Sequence, residues 1–192
     1  MTRRARGRGC LSFLLRRCGW IAAIGLAGCA AGSHAPPANP AQQDALASNQ
    51  IAARDFARGD LNAARRRYEH ALAAAQSVED FELAATALLN LAQVESAAGR
   101  PAAAMARVDT ILASPTRYGA AMQARAAARK ALLELDRGDS PAALHWSDEA
   151  ERACAAPCEL DAVVADLRAA LALRRGDAAA AIVQAGRGAE RA

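Results

Sequence analysis

Apolar residues recur at helical spacing through most of the chain, from Asp44 onward. Leu88, Leu91 and Ala92 fall on one face of a helix, and strand-forming residues almost never alternate with polar ones. Glycines interrupt the pattern at nearly constant separations of 40, 39 and 38 residues, at Gly59, Gly99, Gly138 and Gly176. This spacing predicts four helical hairpins, each of which turns at one glycine.

The residues around these glycines favour helix–turn–helix units. An aspartate that can cap the next helix follows Gly59, Gly138 and Gly176, whereas Arg100 follows Gly99. Alanines stand at fixed offsets, four and five residues after each glycine and seven residues before it. Small residues at these positions allow two helices to cross closely. Because a single hairpin cannot bury its apolar face, the hairpins are expected to stack.

The segment from Gly59 to Leu72 carries the most specific pattern, with Ala64, Tyr68 and Ala71 at small, aromatic and small packing positions. In this pattern the chain resembles the tetratricopeptide repeat (TPR) family over residues 44–192. The resemblance implies an all-α fold, a right-handed array of about four antiparallel helix hairpins in a TPR-like α-solenoid. The third and fourth hairpins are expected to have longer helices or a shifted phase, because charged residues replace apolar ones there, at Lys130 and Arg168.

In the TPR family, the first helices of successive hairpins line a concave groove that binds extended peptides. Some members clamp a terminal carboxylate there with basic and amide side chains. The resemblance implies a partner-binding site at Asn90 in the second hairpin and at Arg125 and Arg129, one turn apart, in the third. The first hairpin departs from the clamp pattern at Asn49 and Ala53. Ordinary surface charge is the alternative interpretation of these residues.

The first 28 residues have the composition of a signal peptide. Residues 1–17 contain six arginines and no acid, and an uncharged run from Cys18 to Gly28 follows. This run is short for a membrane span but suits a signal sequence. Leu26, Ala27, Gly28 and Cys29 then resemble the lipobox of bacterial lipoprotein precursors. The resemblance implies cleavage between Gly28 and Cys29, and a covalent lipid on Cys29. An ordinary secretory peptide and an uncleaved anchor are the alternatives.

The chain is therefore expected to have three parts: the signal peptide (1–28), the lipidated cysteine with a proline-rich tether (29–43), and the repeat domain (44–192). Ala30, rather than an aspartate, follows Cys29. By the sorting rule of the lipoprotein family, this implies an anchor in the outer membrane that faces the periplasm. The tether is expected to be extended, with a reach of roughly 40 Å.

Removal of the leader changes the charge balance of the chain. The whole chain has a net charge of +4, but six of its 24 basic residues and none of its 20 acidic ones precede Cys29. The mature chain is thus slightly acidic. A nucleic-acid partner is therefore not expected.

Two of the five cysteines, Cys10 and Cys18, leave with the leader. Cys154 and Cys158 remain in an oxidising compartment, where a disulfide between them is the first interpretation. Pro157 favours a break in the helix at this place. A redox or metal role is the alternative, but the spacing is not that of a C-x-x-C motif and no second ligand pair is present.

No catalytic motif is present in the sequence. It contains no phosphate-binding loop, no H-E-x-x-H zinc motif, no nucleophile elbow and no glycine-rich dinucleotide turn. The prediction is a protein without catalytic residues, without a metal site and without a cofactor beyond the lipid on Cys29.

These features together predict a lipid-anchored, non-catalytic adaptor that holds an envelope protein or peptide. Repeat lipoproteins of this build resemble three kinds of helper: pilotins of pilus or secretin assembly, the lipoprotein subunit of barrel-assembly machines, and activators of peptidoglycan synthases. Two alternatives stay open at this point. One is a self-associating structural lipoprotein that forms a homodimer, and the other is a small-molecule carrier or an enzyme.

Overall fold

A computed structural model describes residues 39–154 and 160–189. These residues form eight helices: α1 (Pro40–Ala57), α2 (Leu61–Ser77), α3 (Phe81–Ala97), α4 (Pro101–Leu112), α5 (Pro115–Arg137), α6 (Ser140–Ala153), α7 (Asp161–Arg174) and α8 (Ala178–Ala189). The described part of the chain contains no strand. The all-α prediction is confirmed.

Each of the four spaced glycines ends the first helix of a hairpin in the left-handed conformation. The φ angles are 80° at Gly59, 71° at Gly99, 86° at Gly138 and 76° at Gly176. In every hairpin the residue after the glycine donates its N–H to the carbonyl five residues back, at 2.9–3.0 Å. This bond belongs to the Schellman motif, which requires the left-handed residue. The glycine spacing therefore predicted the hairpin turns correctly.

Side chains at the turns begin the second helices as the sequence indicated. Asp60 Oδ1 accepts a hydrogen bond of 2.9 Å from the N–H of Ala63, and Asp139 and Asp177 cap α6 and α8 in the same way. Pro101 lies in the first turn of α4, where the missing N–H has no helical partner to lose. These caps satisfy donors that a helix start leaves without intrahelical bonds.

The first helix begins earlier than the sequence analysis predicted. α1 starts at Pro40, so residues 40–43, assigned above to the tether, are helical. Asn39 Oδ1 accepts a hydrogen bond of 3.0 Å from the N–H of Ala41, and proline at the first helical position has the φ angle that a helix requires. The boundary at residue 44 is thus corrected to residue 40.

The longer helices expected in the third and fourth hairpins are not observed in the described part of the chain. α5 spans 23 residues, but it is broken at Gly119, where φ is 68° and ψ is 166°. Its continuous part, residues 120–137, is as long as the 18 residues of α1. Helices α7 and α8 have 14 and 12 residues and are no longer than their counterparts. The repeat therefore keeps its phase at the fourth glycine.

The helices pack in sequence order. Each described helix contacts the next one along the chain, and α1 also contacts α3, α3 contacts α5, and α5 contacts α7. The first helices of the hairpins thus form a continuous layer. The alanines seven residues before the first three glycines, Ala52, Ala92 and Ala131, are fully buried in this packing.

Three buried carboxylates recur at the hairpin turns, and the sequence analysis missed them. Asp55, Glu95 and Glu134 each stand four residues before a glycine and are almost completely buried. Each pairs with an arginine close to the same turn: Asp55 with Arg58, Glu95 with Arg100, and Glu134 with Arg137. The fourth hairpin has Ala172 at this position. The acid is therefore a feature of three hairpins.

Several predictions concern residues outside the described ranges. These are the leader, the cleavage site at Gly28 and Cys29, the tether before residue 39, and Cys158. Among the described helices, none has both the length and the apolar content that crossing a membrane would require.

Candidate partner-binding groove

The layer of first helices carries a groove of about 370 Å³, which we call the α3–α5–α7 groove. α3 contributes Thr86, Leu89 and Asn90, α5 contributes Arg125, Ala128, Arg129 and Leu132, and α7 contributes Leu160 and Val163 at its N-terminal end. On α5 the lining residues lie three and four positions apart, which places them on one stripe of the helix.

The structure brings together the three residues that the sequence analysis assigned to partner binding. Asn90, Arg125 and Arg129 all line the α3–α5–α7 groove. The two arginines lie one turn apart on α5, and the asparagine faces them from α3. Two guanidinium groups and an amide suit a carboxylate, because they offer several N–H donors at close range.

Arg129 is the more unusual of the two arginines. Its side chain is half-buried, and burial lowers the pKa of its guanidinium. An arginine keeps its charge at neutral pH even so. Arg129 makes no hydrogen bond or ion pair within the described part of the chain. The groove thus holds a partly desolvated positive charge that an anionic ligand would stabilise.

The first hairpin takes part in this surface through an amide. Asn90 Nδ2 donates a hydrogen bond of 3.0 Å to Asn49 Oδ1, which joins α3 to α1. Asn49 stands where the clamp pattern has a lysine, and Ala53 stands where it has an asparagine. The first hairpin thus contributes an amide that extends the polar side of the groove toward α1.

The other side of the groove is apolar. Leu132 on α5, the α7 N-cap residue Leu160 and Val163 on α7 line it, and Val163 is 38% exposed. The exposed apolar area lies next to the charge of Arg129. A ligand that fits the groove would therefore combine an anionic group with an apolar side chain.

One repeat position explains much of this surface, and the sequence analysis missed it. The position thirteen residues before each glycine is occupied by Leu46, Thr86, Arg125 and Val163. The last three line the groove, and Leu46, the equivalent residue of α1, is 47% exposed. The equivalence of these four residues can be read from the sequence, because each stands at the same distance from one of the spaced glycines.

Lys130 and Arg168, the charged residues for which a shifted phase was expected, are not among the residues that line the groove. Lys130 Nζ lies 2.6 Å from Asp109 Oδ1 and 4.2 Å from the centre of the Trp146 ring. Arg168 donates to Asp148 at 2.6 Å and to Glu151 at 2.8 Å. Lys130 therefore joins α5 to α4 and α6, and Arg168 joins α7 to α6.

A hydroxyl, an imidazole and a carboxylate lie together on the first hairpin. Ser48 Oγ is 3.1 Å from His70 Nδ1, and His70 Nε2 is 3.6 Å from Asp44 Oδ2. All these groups are at least partly exposed. Ser48 lies inside α1, where the backbone N–H groups are used in helical hydrogen bonds. The backbone N–H of Ser48 is therefore engaged within the helix, and the side chains of Arg66 and Arg67 line the same pocket as Ser48 and His70.

Cys154 lies directly after α6 in an extended conformation and is disulfide-bonded. Its predicted partner, Cys158, lies outside the described residues, so the pairing with Cys158 stays a prediction. In the described ranges, no group of three or more His, Cys, Asp or Glu side chains could hold a metal ion.

In comparisons with known proteins, the chain matches no protein-family model and no curated protein sequence.

Proposed function

We propose that the chain is a non-catalytic adaptor that holds another envelope protein in the α3–α5–α7 groove. The observation that carries this proposal is the convergence of Asn90, Arg125 and Arg129 in one groove. The resemblance to the TPR clamp implies the same three residues. An acidic segment or a terminal carboxylate of the partner would neutralise the charge of Arg129.

The fold within this proposal is a TPR-like right-handed α-solenoid. Support comes from the four glycine turns, the buried alanines at the helix crossings and the contacts among first helices. Tyr68 also supports it, because this aromatic residue is buried between Ala64 and Ala71 at the spacing of the family pattern. Repeat solenoids use such surfaces for extended ligands.

The adaptor is proposed to be anchored by a lipid on Cys29 in the outer membrane and to face the periplasm. The lipobox-like residues from Leu26 to Cys29, and Ala30 after them, support this placement. Lipid chains would hold the adaptor at the membrane while the tether gives it reach. The partner would then be a pilotin client, a barrel-assembly component or a peptidoglycan synthase.

Crosslinking in the native envelope tests the proposal. The full-length chain is crosslinked and purified beside two variants, Cys29→Ser and Arg125→Glu/Arg129→Glu. We expect one envelope protein to be enriched with the wild type, and the arginine variant to lose it. Recovery of the same partner with the charge-reversed variant would exclude the groove as its binding site.

Arg66→Glu is the control for reversing a single charge outside the groove. Arg66 is exposed on α2, outside the α3–α5–α7 groove, so its reversal changes the charge without changing the groove. The control should retain the partner. Cys29→Ser should be recovered from the soluble periplasmic fraction if the lipid is the anchor.

Self-association is a second candidate function, and the last hairpin favours it. Leu173, Ile182 and Val183 are 62%, 73% and 56% exposed. Adjacent apolar residues on α8 would be covered if two copies paired. Analytical ultracentrifugation of the wild type and of Ile182→Asp/Val183→Asp tests this: a dimer that only the variant loses would support self-association, and a monomer at all concentrations would exclude it.

A further inference from the structure

The repeat alignment and the bond between Asn90 and Asn49 extend the α3–α5–α7 groove toward α1, as a surface with two apolar ends and a polar centre. Leu46 and Val163 occupy the same repeat position in the first and fourth hairpins, and both are exposed. Asn90 on α3 and the guanidinium of Arg129 on α5 lie on the helices between them, and Asn49 lies one turn from Leu46 on α1. The order across the four first helices is thus apolar, amide, cation, apolar.

The amide pair can bind an extended backbone. The hydrogen bond between the two asparagines uses Asn90 Nδ2 and Asn49 Oδ1. The Nδ2 of Asn49 and the Oδ1 of Asn90 have no further partner among the described residues. One donor and one acceptor side by side match the C=O and N–H groups of a peptide.

The spacing of the helices sets the length of such a peptide. Neighbouring helices pack about 9 Å apart, so the three steps from α1 to α7 cover roughly 27 Å. An extended chain rises about 3.3 Å per residue, which gives about eight steps between the two apolar ends. Arg129 on α5 lies one helix from Val163 and two helices from Leu46.

We infer that the groove recognises an internal segment of a partner protein, about nine residues long, with an acidic side chain between two apolar anchors. The acidic residue pairs with Arg129. One anchor, at Val163, is about three residues away, and the other, at Leu46, is about five or six residues away on the opposite side. This inference rests on the proposed adaptor function and specifies its ligand.

An internal acidic side chain fits this surface better than a terminal carboxylate does. Exposed apolar residues lie on both sides of Arg129, so the bound chain continues past the cation in both directions. A chain that ended at Arg129 would leave one of the two anchors uncovered. The ligand is therefore expected to cross the groove without ending in it.

Two random peptide libraries of twelve residues distinguish the two kinds of ligand. One library is displayed with a linker after the peptide, so that the peptide has no free carboxylate, and the other ends in a free carboxylate. Both are selected on the full-length chain in detergent, and on Arg129→Gln, Leu46→Ser and Val163→Ser. Arg66→Gln serves as a control with the same loss of charge outside the groove.

The linker-terminated library should enrich an acidic residue flanked by apolar residues at the two stated separations. Arg129→Gln should reduce this enrichment by roughly tenfold or more, as expected for a charged hydrogen bond. Arg129→Lys should restore part of it, which separates loss of charge from misfolding. Leu46→Ser and Val163→Ser should each remove the apolar preference on one side alone.

Enrichment in the free-carboxylate library alone would overturn the inference and leave the groove as a binding site for chain ends. An identical motif with wild type and Arg129→Gln, or no motif in either library, would also overturn it. The adaptor function itself is decided separately by the crosslinking of a native partner, which does not depend on the form of the ligand.

Discussion

Asn90 on α3 donates a hydrogen bond of 3.0 Å to the side-chain oxygen of Asn49 on α1, across 41 residues of sequence. This bond joins the first two hairpins at the polar edge of the groove. We expect Asn90→Ala to lower the free energy of unfolding by about 1 kcal/mol, which is typical for one such hydrogen bond. Urea unfolding measured by circular dichroism gives the value.

Thr86→Ala is the control for this change. Thr86 lies one turn before Asn90, and its hydroxyl donates only to the carbonyl of Glu82 within the same helix. Its replacement should leave stability nearly unchanged. An equal loss of stability in the two variants would show that the asparagine bond contributes nothing of its own.

Replacing Ser147 by alanine is expected to stabilise the fold. Its side chain is fully buried in α6, and its hydroxyl has no hydrogen-bond partner among the described residues. Because a buried hydroxyl without a partner is unfavourable, Ser147→Ala should raise the free energy of unfolding by about 1 kcal/mol or more. Ser96→Ala, at a half-exposed position of α3, should gain only the few tenths of a kcal/mol of alanine's helix propensity.

Gly138 at a turn and Gly186 inside α8 should respond in opposite directions to replacement by alanine. Gly138 has a φ angle of 86°, where a side chain is strained, so Gly138→Ala should cost about 1 kcal/mol. Gly186 lies inside α8 with open space around it, so Gly186→Ala should stabilise the chain by about 1 kcal/mol. Thermal unfolding of the two variants checks both signs. Destabilisation by Gly186→Ala would contradict the helical assignment of that residue.

The ion pairs of Asp55 with Arg58 and Arg67 should make the free energy of unfolding depend on pH. Hydrogen bonding from Arg58, opposed by burial and reinforced by Arg67, lowers the pKa of the Asp55 carboxyl. Because the folded-state pKa lies below the unfolded value of about 3.9, the stabilisation is complete above that pH and is lost as the pH falls through the folded pKa. Asp55→Asn should therefore be less stable than wild type at neutral pH.

The measurement for Asp55 is the free energy of unfolding of wild type and Asp55→Asn from pH 7 downward. The difference between them should stay constant to about pH 4 and shrink below it. Asp136→Asn is the control, because Asp136 is exposed near the turn of the third hairpin. A difference that did not change with pH would exclude the carboxylate charge as its origin.

The sequence predicted the parts of the fold that depend on local geometry. Gly59 and its three counterparts adopt the positive φ angles that favour glycine, and Asp60 caps the next helix. These residue types therefore predict the turns directly. The groove residues were implied by the resemblance to the TPR clamp, which the repeat alignment carried onto positions that share one face. Asn90, for example, was implied by the amide of that clamp in the second repeat.

Other features depend on contacts between distant segments, which the sequence pattern does not contain. The break at Gly119 looks the same in sequence as a tolerated glycine within a helix. Lys130 could be placed only once Asp109 on α4 was known to lie beside it. The early start of α1 is different: Asn39 and Pro40 were a helix-start signal, but the prolines before them favoured a linker.

Arg129 and Arg168 should show that a binding residue and a structural residue of the same type have opposite effects on stability. Burial lowers the pKa of Arg129, which has no ionic partner in the described part of the chain. For Arg168 burial acts in the same direction, but its hydrogen bonds to Glu151 and Asp148 prevail and raise its pKa. Arg129→Met should therefore raise the midpoint of thermal unfolding, and Arg168→Met should lower it.

The same two variants separate stability from partner binding. Arg129→Met should lose the crosslinked envelope partner although it is the more stable protein, because the charge that destabilises the free chain is the one that a carboxylate would neutralise. Arg168→Met should keep the partner at temperatures where it stays folded. If Arg129→Met lowered the unfolding midpoint instead, the guanidinium would already be stabilised within the chain, and the reason for an anionic ligand in the groove would be lost.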